Sequence, residues 1–144
     1  MPYVSLDMRP EVVYHYTKRE NLSGILHDGR IKKFSDTECW FCLTLEDTLQ
    51  YMELTVMREG RKYIAHDLLV KTYPSFNPKD YVILELIPTS NYGEWVRWVN
   101  AIPPNAAAEM RRDLITCSQL SIGYRLNLRF EPNPQVFELA DITS

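Results

Sequence analysis

The chain has no long apolar run, no excess of one charge and few glycines, and each shortage excludes something. No stretch approaches the roughly 20 apolar residues that a membrane-spanning helix requires, so no membrane partner is expected. The 16 basic and 19 acidic residues leave a net charge of −3, which argues against a protein held on nucleic acid by bulk charge but not against a local basic groove. With 5 glycines, 9 prolines and neither repeats nor low-complexity tracts, disorder is not expected to dominate. Cysteine is scarce and odd in number, at Cys39, Cys42 and Cys117. The opening Met1-Pro2-Tyr3-Val4-Ser5-Leu6-Asp7 lacks the charged and apolar regions of a secretory leader. Reduced thiols and a cytoplasmic location are therefore expected. What is present suits a globular chain: 144 residues, of which 45% are hydrophobic and 24% charged. That is enough for one sizeable core, and no internal boundary is visible, so residues 1–144 are expected to form a single domain.

Local patterns place the elements. Val12-Val13-Tyr14-His15-Tyr16 is β-branched and aromatic, as a short strand would be. Thr17-Lys18-Arg19-Glu20 then matches a capping box, with Leu22, Ile25 and Leu26 forming the apolar face of the helix it would start. Gly29 is placed for the left-handed residue that closes such a helix. Cys39-Trp40-Phe41-Cys42-Leu43-Thr44 reads as a second strand. Thr44 then caps a helix whose first turn carries Glu46 and Asp47 against the positive end of its dipole. That helix is expected to turn Leu45, Leu49, Met52 and Val56 inward and to stop before Gly60. Strands are expected over residues 63–70 and 81–87, with a proline-marked loop between them. The second is almost unbroken in apolar residues, as a strand covered on both faces is. Residues 91–101 fit either a short helix or an aromatic loop. A helix is expected over 106–120, with Met110, Leu114 and Cys117 on one face, and final strands over 125–130 and 135–139. The whole reads as α+β, with five to seven strands and three helices.

The segment Tyr14-His15-Tyr16-Thr17, followed by Asn21-Leu22-Ser23-Gly24-Ile25-Leu26 and Gly29, resembles the opening motif of small bacterial and phage-type ADP-ribosyltransferases. There a Tyr-His-x-Thr strand end precedes a helix of the form Asn-Leu-x-x-Ile-Leu-x-x-Gly. Cys39-Trp40-Phe41-Cys42-Leu43-Thr44 with the helix through Tyr51 is similar to the aromatic strand and helix that form the other wall of that family's nicotinamide pocket. The two blocks span residues 12–52, about a third of the chain. The resemblance implies a split β-sheet core, NAD as substrate, and transfer of ADP-ribose to a macromolecular acceptor, a protein in the first instance or a nucleic acid. It gives His15 the nicotinamide ribose and Thr17 the adenosine side, counts Tyr16 among the NAD-binding residues, and gives Trp40, Phe41 and Tyr51 the pocket wall. It also implies a toxin, phage effector or defence component.

The physical logic agrees with those residue types. A histidine at a strand end can hydrogen-bond a ribose hydroxyl, and an aromatic ring can flatten against nicotinamide. Cleaving the glycosidic bond develops positive charge on the ribose, which a carboxylate would stabilise. The family's late-strand glutamate points first to Glu138, in Pro134-Gln135-Val136-Phe137-Glu138-Leu139, and second to Glu85. Each has a plainer reading: Glu85 facing solvent or pairing with a base, Glu138 keeping an edge strand soluble. Thr17 serves as a helix cap on the same footing, and one of Trp40 and Phe41 must be core because they alternate. Cys39 and Cys42 form a C-x-x-C, but residues three apart on a strand face opposite sides. No second close pair joins them from Cys117, His27 or His66, so no metal is assigned. Arg30, Lys32, Lys33 and the Arg111-Arg112 pair are solvated charges or phosphate contacts. A different class of function, a non-catalytic binding or inhibitor domain, would act through the aromatics of residues 92–98.

Overall fold

The almost unbroken apolar run that begins at Tyr81 becomes an interior strand. Its Val82, Ile83, Leu84 and Leu86 are fully buried, which is possible for consecutive residues only where both faces of a sheet are covered. The computed structural model describes residues 3–32, 38–64, 68–89, 93–98 and 108–143. In chain order the elements are β1 (Tyr3–Ser5), β2 (Val13–Lys18), a 3-10 turn (Arg19–Asn21), α1 (Leu22–Asp28), β3 (Arg30–Ile31), β4 (Cys39–Cys42) and α2 (Leu45–Thr55). Then come β5 (Lys62–Ile64), β6 (Val70–Thr72), a second 3-10 turn (Pro78–Asp80), β7 (Tyr81–Leu86) and β8 (Trp95–Trp98). The chain ends with α3 (Ala108–Leu120), β9 (Ser121–Tyr124), β10 (Leu128–Arg129), β11 (Gln135–Glu138) and α4 (Leu139–Thr143). This is a small α+β domain with a seven-stranded sheet ordered β1-β8-β9-β4-β2-β7-β11. Every strand pairing among the described residues is antiparallel.

Strand alternation sorts the side chains into two cores, one on each face of the sheet. Val13, Phe41, Leu84, Ile122 and Tyr124 face a layer made by α1, β3 and β10, where Ile31 and Leu128 are buried. On the opposite face Tyr14, Tyr16, Ile83 and Phe137 pack beneath α2 and α4, centred on Met52 and Leu139. The α2 cap forms as expected, with the Asp47 amide donating to Thr44 Oγ1 at 3.0 Å. Gly29 closes α1 in the left-handed region, at φ 67°. Of the apolar face expected on α1, Leu22 and Ile25 pack on the core, while Leu26 is exposed.

Several expectations are corrected. The capping box at Thr17 does not form: Thr17 and Lys18 continue β2 by pairing with Val82 and Tyr81. The helix starts later, with Asn21 at its N-cap and no side-chain cap bond. The Thr17 hydroxyl instead accepts from Asn21 Nδ2 at 3.3 Å, so two ladder positions outweigh one cap. Within residues 91–101, neither a helix nor a loop forms at Trp95–Trp98: this is β8, held between β1 and β9. Trp95 lies in the core at 3% exposure, so it offers nothing to a partner. Tyr92 lies outside the described residues. The strand expected over 125–130 reduces to Leu128–Arg129, while β9 and α4 were not anticipated. The strand expected over 63–70 is two short ones, β5 and β6, paired as a hairpin.

The feature that positions the site is an unequal pairing of β2. Against β7 it pairs at all six positions, Val13 to Lys18. Against β4 it pairs only at Tyr14↔Cys42. The sheet therefore splits along one side of β2, between the two strands that carry the motif residues.

Candidate functional site

Antiparallel register shows what the split exposes. Had the ladder continued past Tyr14↔Cys42, His15 would have paired with Phe41 and Tyr16 with Trp40. Instead these four residues line a cavity of about 440 Å³ with Tyr14, Ile31, Lys32, Glu38 and Tyr51 among the other walls. That volume falls in the range of ligand pockets, about 300–1,000 Å³. Five of the residues that the resemblance assigns to NAD are thus gathered at one place: His15, Tyr16, Trp40, Phe41 and Tyr51. Thr17, Glu85 and Glu138 do not line it.

His15 bridges the split. Its Nδ1 lies 3.0 Å from the Trp40 carbonyl oxygen, which can only accept, so Nδ1 carries the hydrogen. Burial pushes the imidazole pKa below its ordinary value, the Trp40 bond opposing this more weakly. The ring is therefore neutral near pH 7, and its Nε2 bears a lone pair suited to accept from a hydroxyl. The Phe41 ring steadies it from the side, with centroids 5.4 Å apart.

The aromatic walls divide in role. Phe41 is core, at 2% exposure, while Trp40 on the opposite face is half-buried. Trp40 sits across from Gly123 on β9, and a Cβ at that glycine would lie 3.0 Å from the indole Cζ3. The missing side chain leaves room for the indole to lie against β9. Tyr51 comes from α2 and meets Tyr16 edge-on, with ring centroids 6.2 Å apart. Tyr16 is held in turn by a 3.1 Å hydrogen bond between its hydroxyl and Thr55 Oγ1. Burial raises the pKa of both phenols, so the wall presents neutral rings.

The carboxylates fall differently from expectation. Glu138 is taken by Arg19, which donates from Nη1 to Oε1 at 2.8 Å and from Nη2 to Oε2. That fork holds the Glu138 carboxyl below the usual range, in a position open to solvent at the sheet edge. Glu85 accepts from the Tyr14 hydroxyl at 2.8 Å, so it touches the cavity only through that tyrosine. Burial and the Glu85 bond raise the Tyr14 pKa, so Tyr14 remains the donor. Among the described residues, the carboxylate that lines the cavity is Glu38, at 2% exposure. Sequence reasoning missed it. The available signal was an acidic residue set directly before Cys39-Trp40-Phe41-Cys42, a strand that must be covered. Lys32, also on the wall, is an exposed cation 3.6 Å from Asp28 Oδ2 and supplies positive charge at the rim.

Cys39 and Cys42 are buried free thiols, with Cys39 in the core beneath α1 and Cys42 paired opposite Tyr14. Burial pushes both to about 12, so neither is a thiolate near neutral pH. Among the described residues no group of three or more His, Cys, Asp or Glu is placed to hold a metal ion; His66 and Lys33 lie outside them. Nor is any helix among them long and apolar enough to cross a membrane. Comparison with known proteins gave no match, whether to a family model, a curated protein or a solved structure.

Proposed function

We propose that this domain is an ADP-ribosyltransferase-like enzyme that takes NAD as substrate and transfers ADP-ribose to a macromolecular acceptor. The acceptor in this reading is a protein, met in the cytoplasm, with a nucleic acid as the other target class. One observation carries the proposal: the residues that the motif resemblance names from two separate segments converge on one cavity, at the break in the β2–β4 ladder.

Each residue then has work of a definite kind. His15, neutral and fixed by its Nδ1–H to Trp40, accepts a hydroxyl of the nicotinamide ribose at Nε2. Trp40, Phe41, Tyr16 and Tyr51 form an apolar, aromatic enclosure for the nicotinamide ring. Lys32 at the rim faces the pyrophosphate. In the reaction the bond between ribose C1′ and the nicotinamide nitrogen breaks, and its electron pair leaves with nicotinamide. The acceptor nucleophile forms the new bond to C1′ and gives up its proton. The enclosure excludes water while this happens, which strengthens every electrostatic contact inside it.

A second reading is favoured by a specific observation, that Glu138 is bound by Arg19 and Glu85 by Tyr14. On that reading the cavity binds NAD without turning it over, and the domain acts through protein contacts. The two separate in one experiment on the purified protein: NAD binding by titration, and nicotinamide release on the same sample. The enzyme reading expects both, with His15→Ala losing about 10²-fold or more in turnover. Binding without release, even with cell extract supplied as acceptor, favours the binder. Absence of NAD binding overturns both.

A further inference from the structure

We infer that Glu38 is the carboxylate that faces the nicotinamide ribose, an assignment that rests on the NAD reading above. Of Glu38, Glu85 and Glu138, it is the one on the cavity wall. Its position is tied to that of His15. The carbonyl that orients His15 belongs to Trp40, and Glu38 stands one residue before Cys39 on the same segment. Along an extended chain two residues span about 6.6 Å. A ribose held by His15 therefore lies beside the segment that carries Glu38, whereas Glu138 sits two strands away on β11, held by Arg19 at the sheet edge.

Burial gives this carboxylate its effect. At 2% exposure it acts through protein rather than water, where a charge interaction is about four times stronger at the same separation. It acts at two stages. When the glycosidic bond breaks, the positive charge that moves onto C1′ and the ring oxygen is met by a fixed negative charge. The attacking water or acceptor hydroxyl then has an adjacent base for the proton it loses. Before any bond breaks, the same carboxylate favours the cationic nicotinamide of NAD over the neutral dihydronicotinamide of NADH. This earlier effect is a matter of binding alone, so it can be measured whether or not the right acceptor is present.

The test compares wild type with Glu38→Gln, which keeps the shape and removes the charge, and with Glu38→Asp, which keeps the charge and withdraws it. Affinities for NAD and NADH are titrated separately, nicotinamide release is followed at saturating NAD, and thermal unfolding reports folding. The expected result for Glu38→Gln is a loss of NAD affinity of about tenfold or more with NADH affinity unchanged. Its turnover should fall by about 10²-fold. Glu38→Asp should keep the preference for NAD over NADH while losing turnover. If Glu38 serves only the fold, Glu38→Gln lowers the unfolding temperature but keeps the wild-type NAD/NADH ratio and turnover, and the assignment is wrong. If Glu38→Gln does not fold, Glu38→Asp decides: full turnover there overturns the assignment. Failure of wild type to bind NAD overturns the NAD reading itself, and this assignment with it.

Discussion

The two sides of β2 differ more than any other pair of neighbouring edges in the sheet. Toward β7 the strand is paired along its whole length, and the side chains opposite it are fully buried over most of that length. Toward β4 it pairs once, and beyond that pair lies a cavity lined by rings and a few polar groups. A buried peptide group left without a partner costs about 1–3 kcal/mol, so a broken ladder persists only where something replaces it. Here the His15 side chain takes the Trp40 carbonyl, and the indole of Trp40 lies against Gly123. The same strand thus builds a wall on one side and a site on the other.

The contrast can be broken most heavily on the closed side. Leu84→Ala removes a fully buried side chain from β7, opposite His15. It should cost about 2–5 kcal/mol, read as a lower midpoint in urea with little change in slope. A loss below about 1 kcal/mol would mean that this ladder is not the rigid half of the molecule. Next in size is Gly123→Ala, on the open side. Its new Cβ would meet the indole at 3.0–3.2 Å, closer than most such contacts, and would displace the indole. About 1–3 kcal/mol is expected, with shifted tryptophan emission and weaker NAD binding. Unchanged emission would show that Trp40 does not rest on that glycine.

Elements set by local signals were legible in the chain on both sides of the split. β7 announced itself by consecutive apolar residues, α2 by Thr44 before two acids, and the end of α1 by Gly29, because each rests on neighbours a few positions away. Phe41 and Trp40 were separable by alternation, although not which of them would be core. β8 and β9 were hidden for a non-local reason: their extended form is imposed by one another and by β1 and β4, and β9 continues from α3 without a break. Thr17 misled because a capping pattern competes with a ladder whose partner strand lies more than 60 residues on. Glu38 was hidden because a glutamate that follows Ser35-Asp36-Thr37 looks solvated in the chain, whereas it is buried in the fold.

A smaller effect belongs to His15 itself. Its imidazole titrates below its unfolded value because burial disfavours the cation. The unfolded chain therefore binds the proton first as the pH falls. Stability should decline as the pH drops below about 6.5, the ordinary histidine value, and level off below the folded value. His15→Ala should flatten that slope while costing about 1 kcal/mol at pH 8 for the lost hydrogen bond. Unfolding curves at pH 8 and pH 5.5 check this, and an unchanged slope in the variant would place the imidazole in solvent rather than across the split.

The smallest change is expected at the far edge, where Arg19 grips Glu138 and also donates from Nε to the Lys79 carbonyl at 3.1 Å. Both side chains are well exposed, so the pair is screened by water and salt and contributes little to the fold. The sign is nevertheless fixed. The Glu138 carboxyl is held below the usual range by Arg19, so whatever stability the pair adds is complete above that range and is lost as the pH falls through the depressed value. Arg19→Ala should lower the unfolding temperature slightly at pH 7, less so in 1 M salt where screening acts within about 3 Å, and not at all once Glu138 is protonated. Glu138→Ala should match it, with NAD turnover near wild type. A large loss of turnover in Glu138→Ala without loss of stability would have a different meaning. It would show that ligand draws Glu138 away from Arg19 and toward the cavity, so that the closed side of the sheet also takes part in the chemistry.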